Sequence, residues 1–245
     1  MKRALIIQHD DDNPAGLLAD CFARRGYSVI LFPARRAYGE RHGILAVEFP
    51  DPAGYDAIVP LGSDWSVLDP RVKSWLDPEL EFLRAAHRAG IRVLGICFGA
   101  QALALALGGI VRPARRPEIG WYRLSHYAGL GHDLIRDQGP WFCWHSDQFI
   151  PPHGARVLAH TAAGPHAFAA GRSWGVQFHP EADAKLIRSW LDGDGGGEAA
   201  RLGLDPAELI PDDRLAAAAA RRADRLVESF LASRPAARAP VTYAG

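Results

Sequence analysis

Hydrophobic residues fall along this chain in two different rhythms. Over the first hundred residues, short continuous apolar runs alternate with amphipathic stretches. Residues 4–7 read as a buried strand and residues 14–25 as a helix, with Pro14 suited to its first turn and Gly26 to its stop. Residues 27–32 predict a second strand, apolar at every position except Ser28. Residues 56–61 predict a third, ending at the turn Gly62-Ser63-Asp64. A helix over residues 78–88, closed by Gly90, leads to a fourth strand over residues 92–96. Strands that alternate with helices, several of them continuously apolar, predict an α/β fold: a mostly parallel sheet with helices on both faces. Such sheets bind ligands beyond the carboxyl ends of their strands, here the turns after Leu61 and Ile96.

The second half changes character. Residues 110–124, 141–150, 155–160, 167–170 and 173–178 read as shorter strands joined by turns rich in Gly, Pro and His. The glycine run at residues 193–197 reads as a flexible loop. Asp212 and Asp213 favour a helix N-terminus, and the helix is expected to run to about Ser233. Its apolar stripe of Leu215, Ala219, Leu226 and Phe230 should dock on the body. From Pro235 the chain is rich in Pro, Ala and Arg and is expected to be disordered. The organisation predicted is one domain over residues 1–234 with a tail over residues 235–245, a length that suits one large α/β domain.

Charge removes several classes of function. Lys plus Arg and Asp plus Glu are both 28, so the formal net charge is zero and nothing predicts nucleic acid or an anionic membrane as a partner. The paired arginines are short and scattered, as solvated surface is. The first apolar run stops at Gln8-His9-Asp10, too short for a secretory signal or a membrane span, so the expected location is cytoplasmic. Three cysteines with no close pair predict neither a disulfide framework nor a cysteine-based zinc site. His9, His126, His132, His153, His160 and His166 show no metal-ligand spacing, and no metal or cofactor is expected.

Two segments carry candidate chemistry. In Gly95-Ile96-Cys97-Phe98-Gly99-Ala100-Gln101 an apolar strand ends directly in a cysteine and a helix of Ala and Leu begins. Small neighbours permit the sharp strand-to-helix turn of a nucleophile elbow, and the helix N-terminus favours a thiolate. Taken alone, the same cysteine could equally be a small buried hydrophobe. In Trp174-Gly175-Val176-Gln177-Phe178-His179-Pro180-Glu181 an apolar strand ends in His-Pro-Glu. Pro180 holds His179 extended and stops the strand, leaving His179 and Glu181 at the sheet edge. Such a His can deprotonate a thiol while a carboxylate orients it. By itself His-Pro-Glu could be a solvated surface turn.

Together the two segments resemble the class I glutamine amidotransferases, which pair a G-x-C-x-G-x-Q elbow with a distant H-P-E segment. The resemblance runs from the first strand to roughly Ser189. Glu118-Ile119-Gly120-Trp121 and Trp144-His145-Ser146-Asp147 are similar, more narrowly, to the free-standing branch related to GMP synthase glutaminases. So is the long final helix after residues 202–206. The resemblance implies a flavodoxin-like three-layer sandwich and a triad of Cys97, His179 and Glu181 that cleaves a γ-glutamyl amide through a thioester. It implies that Phe98 N–H is one oxyanion donor, with Gly62 or Ser63 supplying the other. It further implies that Gln101 and the segment at His145, Ser146 and Asp147 face the substrate. The turn Gly62-Ser63-Asp64-Trp65-Ser66-Val67 departs from the branch pattern G-G-P-x-S-V, lacking its second glycine and its proline.

Three functions follow from these residues. The first is a glutamine amidotransferase-type hydrolase that frees ammonia for a synthase on a separate chain. A γ-glutamyl peptidase or hydrolase acting on a small conjugate would use the same triad. A catalytically silent binding or regulatory subunit would have no need of all three triad residues.

Overall fold

Alternate residues of the first strands point into two different cores. Ala4 and Ile6, Ala57 and Val59, and Leu94 and Ile96 pack on one side, whereas Leu5 and Ile7, Ile58 and Val93 pack on the other. All are completely buried or nearly so, as expected for a sheet covered on both faces. The computed structural model describes residues 1–11, 13–34, 47–126 and 139–233.

The main sheet is built from β1 (Lys2–Gln8), β2 (Tyr27–Pro33), β3 (Ala57–Pro60), β4 (Arg92–Ile96), β6 (Ser125–His126), β8 (Arg156–His160), β9 (Pro165–Ala170) and β10 (Ser173–Val176). Its order is β2-β1-β3-β4-β10-β9-β8-β6. The pairs from β2 through β10 are parallel, and those from β10 through β6 are antiparallel. Helices α1 (Gly16–Ala23) and α7 (Asp213–Ala232) cover one face through Leu18, Phe22, Leu226 and Phe230. Helices α2 (Lys73–Arg88) and α3 (Phe98–Ala106) cover the other through Phe82, Leu83, Phe98 and Leu103. The α/β architecture predicted from the strand–helix alternation is therefore present.

Beside this sheet lies an antiparallel ribbon of β5 (Ile110–Tyr122) and β7 (Trp141–Ile150), whose register shifts between Pro113 and Glu118. Helices α4 (Ala184–Asp192), α5 (Asp194–Arg201) and α6 (Pro206–Leu209) pack on it around Phe142, Ile187 and Trp190. Among the described residues no helix is long and apolar enough to cross a membrane.

Three local expectations change. Helix α2 begins at Lys73 and runs through Pro78, because Trp75 and Leu76 before the proline are buried in the core and hold that turn in place. The glycine run expected as a loop lies at the start of α5. A Cβ at Gly195 would stand 2.7 Å from the Trp144 ring, so glycine here lets the helix approach the ribbon closely. The first of the second-half strands, β5, is the longest at 13 residues and pairs outside the main sheet. The predicted tail over residues 235–245 lies outside the described residues.

Helix α7 is held to the body in two ways of unequal strength. Asp224 accepts hydrogen bonds from Arg24 at 2.8 Å and from Arg25 at 2.7 and 2.9 Å, but Arg24 and Asp224 are more than a third exposed. Phe230 is fully buried, edge-on to Trp174 at 5.4 Å. Phe230→Ala should therefore cost about 3–5 kcal/mol. Asp224→Ala should cost less than about 1 kcal/mol, because water screens the pair. Urea-unfolding midpoints of the two variants check this order.

Candidate active site

Cys97 stands at the junction of β4 and α3 with φ +48° and ψ −106°. It alone among the described non-glycine residues has a positive φ. Such a conformation costs on the order of 1–3 kcal/mol and persists only where surrounding contacts impose it. Here Cys97 N–H donates to Val176 O at 2.8 Å, Gln101 N–H to Cys97 O at 3.0 Å, and Gly99 N–H to Leu61 O at 3.0 Å. Neighbouring strands on both sides thus grip the corner. The thiol lines the cleft beyond the sheet's carboxyl edge, at the N-terminus of α3.

His179 reaches the same place from β10. Gln177 N–H donates to His166 O and His179 N–H to Phe142 O, both at 2.8 Å, so the chain leaving the sheet is stitched to β9 and the ribbon. His179 Nδ1 lies 2.7 Å from Glu181 Oε1, and Trp190 packs edge-on to the imidazole at 5.0 Å. The carbonyl of Trp144 lies 3.6 Å from Cys97 Sγ and 3.5 Å from His179 Nε2, so sulfur and imidazole converge on one point. Burial alone would lower the His179 pKa; the charge of Glu181 and the adjoining Cys97 sulfur outweigh it and raise the value well above the ordinary one. Glu181 is itself held through its backbone. Its carbonyl accepts from Leu17 N–H at 3.0 Å, where Gly16, with φ +47°, leaves room that a Cβ only 2.2 Å from that oxygen would fill.

The other predicted site residues surround a cleft of about 300 Å³. Ser63, Phe98, Gln101, His145, Ser146 and Asp147 line it, and a Cβ at Gly62 would stand 3.0 Å from His179 Cε1. Gln101 Nε2 donates to Asp147 O at 3.3 Å and lies 3.5 Å from Gln177 Oε1, while Gln177 Nε2 is 3.6 Å from Cys97 Sγ. Ser66 Oγ donates to Asp147 Oδ2. His145 Nδ1 donates to Asp147 O at 3.0 Å, so its mostly buried ring helps hold this wall of the cleft.

Several contributors receive no individual role from the sequence. Glu198 of α5 accepts from Trp144 Nε1 at 2.8 Å and from Ser146 Oγ at 3.4 Å, bracing the wall from the residue after the glycine run. Glu118 pairs with His166 at 2.6 Å and stands 3.2 Å from His145. Burial would raise its pKa, but bonds with His145 and His166 hold it well below the carboxylate range. Cys143, His145 and His166 offer three donor atoms within 4.8 Å of one another, the one such group among the described residues. Two of these rings are already committed, His166 to Glu118 and His145 to Asp147 O.

Comparison with known proteins bears on the family and the fold. The sequence matches the family described as "Glutamine amidotransferase class-I" over residues 16–189. It is 39% identical over 129 residues to a GMP synthase [glutamine-hydrolyzing] of Thermus thermophilus, covering 51% of this chain and 24% of that protein. A protein of the same name from Thermomicrobium roseum is 34% identical over 162 residues, covering 59% and 30%. The chain thus spans less than a third of the length of these two relatives. A glutamine amidotransferase from Thermotoga maritima superposes with a TM-score of 0.80 at 25% identity, covering 95% of this chain and 99% of that one. Another from Methylobacillus flagellatus gives 0.81 at 23% identity, with 98% of each chain covered, and shares the fold.

The three cysteines should differ sharply in reactivity. Burial pushes the Cys21 thiol up to about 11 and the Cys143 thiol well above its ordinary value. An electrophilic glutamine analogue should therefore label Cys97, read by peptide mapping. Labelling mainly on Cys21 or Cys143 would contradict the assignment of this cleft.

Proposed function

The chain belongs to the class I glutamine amidotransferases, and from that premise we propose that it cleaves a γ-glutamyl amide, with glutamine as the substrate, and passes ammonia to a synthase on a separate chain. The observation that carries this reading is the strained, outward-turned Cys97 facing an imidazole that Glu181 holds at 2.7 Å. A carboxylate at Nδ1 fixes that nitrogen as the donor and leaves Nε2 for the thiol and the substrate.

In the proposed reaction the Cys97 proton passes to His179 and the thiolate adds to the side-chain amide carbon. The S–C bond forms while the carbonyl oxygen becomes an oxyanion, which the backbone N–H groups of Phe98 and the Gly62–Ser63 turn receive. His179 returns the proton to the amide nitrogen, the C–N bond breaks, ammonia leaves, and a thioester remains. Water, deprotonated by His179, then attacks the thioester to release glutamate and restore the thiol. Gln101 and the 145–147 segment hold the amino-acid end of the substrate. The GMP synthase relatives are glutamine-hydrolysing proteins of greater length, which supports a synthase as the receiver of ammonia.

Cys97→Ala and His179→Ala should each abolish ammonia release from glutamine with the circular dichroism unchanged. Near-full activity in Cys97→Ala would overturn the mechanism. Glu181→Gln should retain more activity and change its pH dependence. Because the Glu181 charge raises the His179 pKa, its removal lets the imidazole lose its proton at lower pH. The alkaline limb of kcat/KM should then retreat toward neutrality, as a full pH–rate profile would record.

A further inference from the structure

The peptide that leaves β3 next to Cys97 is gripped from behind by a residue outside the triad. His9 Nδ1 lies 3.3 Å from Gly62 O, and His9 Nε2 lies 2.9 Å from Glu79 Oε2. Both side chains are fully inaccessible to solvent. The His9 ring lies against Phe98 at 4.9 Å and Trp75 at 5.6 Å. We propose that His9 is a positioning residue that locks the Gly62–Ser63 peptide with its Ser63 N–H turned toward the substrate, so that the second oxyanion donor is preformed. This inference rests on the acyl-transfer reading above and deepens it.

The argument begins with the proton. A carbonyl oxygen only accepts, so Nδ1 must carry hydrogen whether the pair is imidazolium with carboxylate or imidazole with carboxylic acid. One proton shared between Nε2 and Glu79 leaves the Nδ1–H bond intact in both states. Burial would lower the His9 pKa, but Glu79 outweighs it and the net shift is upward. In a trans peptide the C=O and the following N–H point in opposite directions, and the protein has no cis bonds among the described residues. Ser63 borders the cleft while His9 lies buried behind it. Holding Gly62 O on His9 therefore turns the Ser63 N–H to the cleft side. That N–H makes no hydrogen bond among the described residues and is free for a ligand.

The next residue grips the other end of the same turn. Asp10 Oδ2 accepts from Asp64 N–H at 3.0 Å and stands 3.5 Å from Asn13 Nδ2. A proline at position 64 would have no N–H to offer. Ser63 is not among the positive-φ residues, so the turn as built does not require glycine there. His9 and Asp10 thus hold the turn through two hydrogen bonds, where the branch pattern has a proline ring to fix the backbone. The Glu79 pairing is otherwise hard to explain: its Oε1 is buried with no hydrogen-bond partner among the described residues, a poor arrangement for stability alone.

Two amide substitutions separate the latch from simple packing. Asn places its donor near the position of Nδ1 and Gln near that of Nε2. His9→Asn can keep the bond to Gly62 O and lose Glu79; His9→Gln can keep Glu79 and lose Gly62 O. With L-glutamine and L-γ-glutamyl-p-nitroanilide as substrates, His9→Gln should lose about a hundredfold in kcat with KM little changed. His9→Asn should keep most of the kcat, although thermal melting should rank His9→Gln the more stable of the two. Alkylation of Cys97 by iodoacetamide forms no oxyanion, so its rate should be the same in wild type and both variants. Equal kcat losses in the two variants, or losses that track the alkylation rate, would overturn the latch. Should either His9 variant fail to fold, Glu79→Gln decides: its amide can donate to Nε2 and leave Nδ1 protonated, so kcat should survive. A hundredfold loss there would overturn the latch as drawn. A wild type that alkylates but turns over neither substrate would overturn the acyl-transfer reading, and the latch with it. An active wild type with an undiminished His9→Gln would overturn the latch alone.

Discussion

The site depends on one reversal of the backbone, at Cys97, where a buried parallel strand turns within a single residue into a buried helix. No β-strand can feed a helix that sharply through ordinary dihedrals, so one residue takes the left-handed φ of +48°. The strain is held by bonds from both neighbouring strands and by the first turn of α3. Those neighbours are β3 and β10, whose ends carry the Gly62–Ser63 turn and the His179 segment. The contacts that impose the strain are therefore also those that bring the remaining residues to the thiol.

Around that corner the polar groups are arranged in layers. The inner layer is mostly backbone: the Trp144 carbonyl facing both sulfur and imidazole, and the free N–H of Ser63. Side chains behind it hold these peptide groups still. His145 and Gln101 fix the Asp147 carbonyl, Glu198 braces Trp144 and Ser146, and His9 fixes the Gly62 carbonyl. Buried histidines suit this work because an imidazole can donate to a carbonyl through Nδ1 while its other nitrogen meets a carboxylate.

Helix α5 shows how the cleft is closed off. Its glycines give no amphipathic signal, yet they allow it to lie against Trp144 and Leu191 at distances a side chain would forbid. The same helix contributes Glu198 and Arg201 to the cleft. The helix that adds these residues to the cleft thus begins in a glycine run.

The sequence by itself determined the α/β class, the four leading strands, and the long C-terminal helix, because apolar periodicity and helix-end residues are local properties. It also marked Cys97, His179 and Glu181, since an elbow and a strand ended by His-Pro-Glu are written in consecutive residues. Only the tertiary structure decided that residues 194–201 are helical, because the packing of Gly195 on Trp144 joins positions far apart in the chain. It alone also gave His9 a role. Nothing near His9 in sequence distinguishes it from a satisfied core histidine; its partners Gly62 and Glu79 lie 53 and 70 residues away. A nucleophile is legible where strand and helix meet, whereas the orientation of a peptide group is set by whatever the fold places behind its carbonyl.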